Sequence, residues 1–305
     1  MMPLDGTRQT EWPTVGVIAA VYAGMMLIIW FHESLPWWLI LLVGAYLAAL
    51  HTSLQHEVLH GHPTANRLVN EAMVFPTLTL WLPYHRYRQL HLTHHNDANL
   101  TDPRLDPESY YMLPEHWAAV TGIRRMIYEV NQTLAGRMLI GPAVSIIRFW
   151  SSEYRDFEKN RHDMPKSLIC FIASATITLC YVTIAAGMPL WEYVALIAYP
   201  GISLALVRSY CEHRAAEKAE YRTIIVEASP FWSLLFLNNN LHVAHHDRPA
   251  LAWYKLPAYY RAERERLIAQ NNGYMMKGYG EIFRRYFLKA KEPVAYPNMD
   301  WLKKP

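Results

Sequence analysis

The sequence predicts an all-α integral-membrane helical bundle, with about four transmembrane helices in two hairpins and a cytosolic histidine-rich cap. Three observations predict it. Four long apolar runs pair around short turns, the segments between and after the pairs carry most of the bases, and fifteen histidines fall mainly into spaced clusters. Hydrophobic residues make up 52% of the 305, yet mean hydropathy is only −0.04. The apolar material must therefore be concentrated in segments, which suits a chain that is part membrane and part aqueous.

Residues 1–14 read as an N-terminal tail. No small-residue cleavage site follows the first apolar run, so that run is expected to stay as a helix instead of being removed as a signal peptide. Residues 15–31 are nearly free of charge, and after a turn at 32–36 a second run covers 37–55. A helix crosses a bilayer with about 20 apolar residues, so these two form a helical hairpin with Trp30, Trp37 and Trp38 as interfacial aromatics around its turn. Residues 167–187 and 190–207 repeat the design around Gly187, Met188 and Pro189. Residues 68–82 and 139–150 are also apolar but carry Pro76, Pro83, Gly141 and Pro142, and they read as short, broken, interfacial or re-entrant stretches.

Both hairpin turns lack Lys and Arg, whereas Arg86, Arg88, Arg124, Arg125, Arg155, Lys159 and Arg161 lie on the other side of the spans. That asymmetry places both termini in the cytoplasm. The simplest division is one membrane catalytic domain over 15–260 and a C-terminal cytosolic tail over 261–305. A soluble helical protein with two buried hairpins is the alternative that the run lengths leave open.

A net charge of +3, spread over the second half, gives no stripe for nucleic acid. Cys170, Cys180 and Cys211 contain no close pair, which argues against a disulfide framework, a zinc knuckle or a cysteine-held iron centre. Metal chemistry in this chain belongs to histidine.

His56 and His60 stand four apart just beyond the second run, one helical turn from each other. His91-Leu92-Thr93-His94-His95 and His242-Val243-Ala244-His245-His246 repeat a single HxxHH spacing at two distant places, which on a helix sets three imidazoles on one face. A lone histidine is more often a hydrogen-bonded core residue, but eight in three spaced clusters reverse that expectation. Imidazole suits iron, copper, zinc and nickel, and eight nitrogen donors exceed what one such ion accepts, so two ions follow. A redox pair can activate dioxygen against an unactivated C–H bond, which two zinc ions cannot. The choice among redox metals is not set by spacing.

In the order HxxxH, HxxHH and HxxHH, written here HEVLH, HLTHH and HVAHH, the chain resembles the membrane fatty-acid desaturase and hydroxylase superfamily. Asp102-Pro103, Asp106-Pro107, Asn239-Asn240-Leu241-His242 and Tyr254-Lys255-Leu256-Pro257 add to a resemblance that covers about residues 15–260. It implies a di-iron, O2-dependent oxidoreductase with its boxes at the cytosolic mouths of the hairpins. The ligands it implies are His56, His60, His91, His94, His95, His242, His245 and His246, with His213 as a ninth at the end of the fourth run. The substrate is then a lipid or fatty-acyl chain, with desaturation the first expectation and hydroxylation or ketolation of lipids, alkanes or carotenoids the alternatives.

His62 ranks below these because Gly61 and Pro63 disturb its helix, and His51, His32, His85, His116 and His162 lack partners at ligand spacing. Asn239 fits either as an orienting partner of a third-box ligand or as a helix cap. Two other classes fit part of the pattern. HEVLH alone is also the zinc-protease signature with Glu57 as base, but that leaves both HxxHH boxes unexplained; membrane-mouth histidines also suit a metal transporter, but transport favours ionisable residues inside the spans, residues 15–31 and 167–187 have none, and the clusters fall outside the spans. In the favoured reading Glu57 is a partner of a ligand or a solvated helix residue. No cytochrome b5 segment, flavin or nucleotide fingerprint or cysteine cluster is visible, so electrons are expected from a separate donor such as a ferredoxin with its reductase. Arg124, Arg125 and the basic run 155–166 fit either donor docking or lipid headgroups.

Overall fold

A computed structural model describes residues 9–158 and 164–303; residues 1–8, Lys159, Arg161 and His162 lie outside it. In chain order the helices are α1 Trp12–Trp30, α2 Trp37–Leu59, α3 Arg67–Met73, α4 Tyr84–His94, α5 Pro114–Ala118, α6 Gly122–Val130, α7 Leu134–Leu139 and α8 Gly141–Glu158. They continue with α9 Met164–Leu179, α10 Leu190–Tyr193, α11 Tyr199–Glu212, α12 Pro230–Leu235, α13 His242–Asp247, α14 Leu256–Gln270 and α15 Tyr279–Tyr286. A π-helix, Cys180–Ala185, extends α9, and another, Val194–Ala198, joins α10 to α11. Two short strands, β1 Ile225–Val226 and β2 Met275–Met276, complete the set. The chain divides into two compact units, one of residues 1–88, 142–205 and 235–237, the other of residues 89–141, 206–234 and 238–305.

Among the described residues, four helices are long and apolar enough to cross a membrane: Trp12–Trp30, Trp37–Leu59, Pro165–Ala185 and Leu190–Glu212. They coincide with the four predicted runs. Leu42 and Ile184 are 64% and 78% exposed on them, which hydrocarbon tolerates and water does not. In the first unit α1 packs on α2, and α2 packs on Val194–Ala198 and α11 through small residues. A Cβ added to Gly44 would stand 2.7 Å from Ile197 Cγ1, and one added to Gly201 would stand 2.5 Å from Ala48 Cβ. Apolar contact gains little in lipid, so close backbone approach by small residues supplies the packing.

Residues 74–83 are not helical, and their backbone is satisfied by side chains of the spans. Tyr22 donates to Pro76 O at 3.0 Å, Thr178 to Thr77 O at 2.9 Å and Tyr193 to Leu78 O at 2.6 Å, while Thr77 N–H donates to Ser174 Oγ at 2.9 Å. Such backbone is tolerated beside membrane helices only where protein groups replace water. Residues 139–150 depart from the sequence reading: Gly141 and Pro142 do not break a helix but begin the 18-residue α8. Proline at a helix start gives up an N–H that would have had no helical partner.

In the second unit β1 and β2 pair in parallel, with Ile225 opposite Met275 and Val226 opposite Met276. Ile225, Leu241, Val243, Ala244, Leu256, Tyr260 and Leu267 form its core. The entrance to α13 is tied to the segment around β1. Val226 N–H donates to Asn240 O at 2.8 Å, Asn240 Nδ2 to Val226 O at 2.7 Å and Val243 N–H to Ile224 O at 3.1 Å. Residues beyond 286 run back along this unit: Met112 N–H donates to Val294 O and Tyr296 N–H to Met112 O, both at 2.9 Å.

Candidate metal centre

In the second unit α4 delivers His91 and His94, the residue after it is His95, α11 ends one residue before His213, and α13 carries His242, His245 and His246. His95 keeps the helical register, since its N–H bonds His91 O at 3.1 Å. The seven rings sort into two groups whose donor atoms lie within 4.8 Å of one another, His91 with His95 and His245, and His94 with His213, His242 and His246. Each HxxHH box is therefore split. In the second box the i, i+4 pair enters the first group and the middle histidine the second, and in the third box the assignment is reversed.

The outer nitrogens explain why the inner ones converge. His91 Nδ1 bonds Glu108 at 2.8 Å, His94 Nδ1 bonds Asp106 at 2.9 Å, and His246 Nδ1 bonds Asp97 at 2.8 Å. His242 Nδ1 bonds Asn239 Oδ1 at 2.9 Å and His213 Nδ1 bonds Thr223 Oγ1 at 3.2 Å. A carboxylate only accepts, so His91, His94 and His246 each carry a proton on Nδ1, and whenever such a ring is neutral its Nε2 lone pair points inward. Those inner atoms crowd each other: His94 and His213 Nε2 are 3.0 Å apart, His242 and His213 3.1 Å, His95 and His91 3.0 Å, and His245 and His95 3.1 Å. Nitrogens bound at about 2.1 Å to one ion, at right angles, stand about 3.0 Å apart. The buried Nε2 of His246 makes no hydrogen bond among the described residues. Facing lone pairs repel unless a cation lies between them, so the donor set fits metal ions, and the division into two groups fits two.

Electrostatics keep most of the rings neutral. Burial pushes His91, His213, His242 and His246 below the usual imidazole range. Burial also works against charge on His94, but Glu108, Asp106 and Glu212 outweigh it and raise this group to about 9. Glu108 is raised by burial and lowered more strongly by His91 and His94, which hold it at about 2. Asp106 also accepts Thr101 N–H at 2.8 Å and Glu108 N–H at 2.9 Å, so one buried carboxylate sets both the ring of His94 and the loop that presents Glu108.

In the first unit His56 lies on the last turn of α2 and His60 follows it, with ring centroids 4.9 Å apart. His62 is placed with carboxylates: its Nδ1 is 2.8 Å from Glu11 and 3.8 Å from Glu57. Glu57 is buried, which removes the solvated helix residue from its two alternatives. His51 bonds Tyr22 Oη at 2.9 Å, as a structural histidine should. Asn239 acts on His242 as an orienting partner. Sequence reasoning missed Asp97, Asp106, Glu108 and Thr223; the one available signal was acids close behind the second box, inside the Asp-Pro stretch.

A mostly helical chain with, among its described residues, four helices long and apolar enough to cross a membrane and two poly-imidazole groups that could hold metal ions defines a class of helical membrane protein with a candidate metal centre. Residues 32–278 match the fatty acid desaturase family, and the chain belongs to it. It is an integral-membrane oxidoreductase of the desaturase and hydroxylase type. No curated protein matches the chain.

Proposed function

We propose that the chain is an O2-dependent di-iron fatty-acyl desaturase, with its metal centre and both termini on the cytoplasmic side. The observation that carries this reading is the convergence of seven ring nitrogens in two groups, with five of the rings, His91, His94, His213, His242 and His246, held from outside. His56 and His60 supply further ligands in this reading, supported by the box order and by their separation of one helical turn at the end of α2. Iron bound by these residues supplies the dioxygen-dependent oxidation that removes hydrogen from an unactivated C–H bond. Asp97, Asp106, Glu108 and Asn239 hold the rings in one tautomer and orientation, which raises their basicity as ligands. The substrate is a long acyl chain on a lipid, coenzyme A or carrier protein, and electrons come from an external ferredoxin and its reductase.

The test is the purified full chain and a host expressing it with a ferredoxin system. The protein should hold about two iron ions, a number set by the two donor groups. His94→Ala and His245→Ala should lose iron while still inserting, and the exposed His116→Ala should not. Lipid mass spectrometry should show acyl chains that have lost two hydrogens, absent from the His94→Ala control. Gain of one oxygen without new unsaturation assigns a hydroxylase instead, a change confined to carotenoids assigns the pigment branch, and one zinc per chain retained in His245→Ala removes the di-iron reading.

A further inference from the structure

α6 raises a question that the metal centre does not answer. Its Ile123, Met126, Ile127 and Val130 fall at i, i+3, i+4 and i+7, one face of a helix, with Arg124, Arg125, Tyr128 and Glu129 opposite. That apolar face is not covered by protein: Ile123 is 64% exposed, Met126 52%, Val130 43% and Ile127 36%. The amphipathic α15 of the same unit behaves differently, burying Tyr279 and Ile282 and packing Tyr279 on Trp232 with ring centroids 4.9 Å apart. A nine-residue helix is too short to persist in water on propensity alone. α6 therefore needs an outside surface that covers four aliphatic or thioether side chains.

Its position says which surface. Just after α6, Gln132 O accepts from Tyr210 Oη at 2.8 Å, and a Cβ on Gly141 would stand 3.1 Å from Leu206 Cδ1. Tyr210 and Leu206 belong to the last two turns of the membrane-crossing helix Leu190–Glu212, so the segment is tethered where that helix ends. The Arg125 guanidinium lies 4.4 Å over the Trp117 ring, and Tyr128 stands edge-on to the same ring. Trp, Tyr and Arg in one cluster are the side chains of a water–lipid boundary.

We propose that α6 is a membrane-surface helix, its Ile123, Met126, Ile127 and Val130 face seated among acyl chains and its Arg124 and Arg125 engaging anionic lipid headgroups. The aliphatic stripe selects lipid over a soluble acidic protein, which charge alone would recognise.

The experiment uses the full chain with Cys170, Cys180 and Cys211 replaced by Ala, carrying a nitroxide at Met126→Cys or at Glu129→Cys, in nanodiscs of phosphatidylcholine with or without phosphatidylglycerol. At Met126→Cys, relaxation by dissolved oxygen should exceed relaxation by a water-soluble nickel chelate; at Glu129→Cys the order should reverse. Anionic lipid should deepen the Met126→Cys label, and Arg124→Gln with Arg125→Gln should lose that gain. Equal access of the nickel chelate to both labels overturns the proposal. So does dipolar broadening between labels of two chains, which assigns the face to a second copy, and so does shielding that appears only when an acidic soluble protein is added.

Discussion

Asp106 shows how much one residue carries at this centre. It is buried, accepts from His94 and from two backbone N–H groups, and has no proton to give while ionised. Asp106→Asn keeps the shape and an acceptor for Thr101 but replaces the anionic partner of His94. Loss of such a partner lowers metal affinity by about 10–100-fold, which iron titration against a competing chelator will read; unchanged affinity would show that His94 needs no orienting anion. Glu108→Gln should have the smaller effect, because its side chain is 31% exposed and water can replace part of what it does. The histidines themselves were legible, since two HxxHH boxes at distant places are hard to read otherwise. Their partners were not: Asp106 and Glu108 look like any loop acids until the chain brings them to the outer nitrogens. Nor was the split of each box, because i+3 and i+4 share a helix face and only the approach of α13 to α4 decides which ring joins which group.

Two contacts between elements invite a direct test. Gly201 lets α11 approach α2 until no room remains for a Cβ beside Ala48. Gly201→Leu should force the helices apart and cost about 1–3 kcal/mol, the range for overpacking a tight interface. Thermal unfolding in detergent will measure it; a stability equal to that of the parent chain would mean that the pair is not held as close as it stands here. Lys291 is the second. Only 4% exposed, it donates from Nζ to the carbonyl oxygen of His213 at 2.8 Å. Lys291→Met removes a charge-assisted hydrogen bond and leaves this oxygen with Tyr110 Oη, 3.0 Å away, as its remaining donor, a loss of about 1.5–3 kcal/mol, and should lower iron retention while helix content stays constant, with Lys291→Arg restoring part of it. The spans were legible because a bilayer demands length and apolarity together. The start of α8 was misread because a glycine and a proline punctuate a helix beginning as well as a break. The path of residues 287–296 along the second unit left no periodic trace, since it is fixed by backbone bonds that any sequence can make.

At the scale of the whole molecule, the charge asymmetry predicts which side of the membrane each turn faces. Single cysteines at Ser34 and Trp191, both exposed next to the hairpin turns, should react with an impermeant reagent on intact cells, and one at the exposed Lys218 should not. Labelling of the Lys218→Cys site alone would invert the topology. The pairing of runs into hairpins was legible for the same reason as the orientation, because both follow from where charge is allowed; the division into two compact units was not, because it cuts across α4 and α11 without any change of composition. The rings that meet at 3.0 and 3.1 Å belong to residues 119 and 150 positions apart, His94 with His213 and His95 with His245. Ions held there would be cross-links that close two long loops. By the chain-entropy argument used for disulfides, closing a loop of about 100 residues is worth about 4.7 kcal/mol. Chelation should then act on this protein as reduction acts on a stapled domain, speeding amide exchange through α13 and around β1 while the helices of the first unit keep their protection.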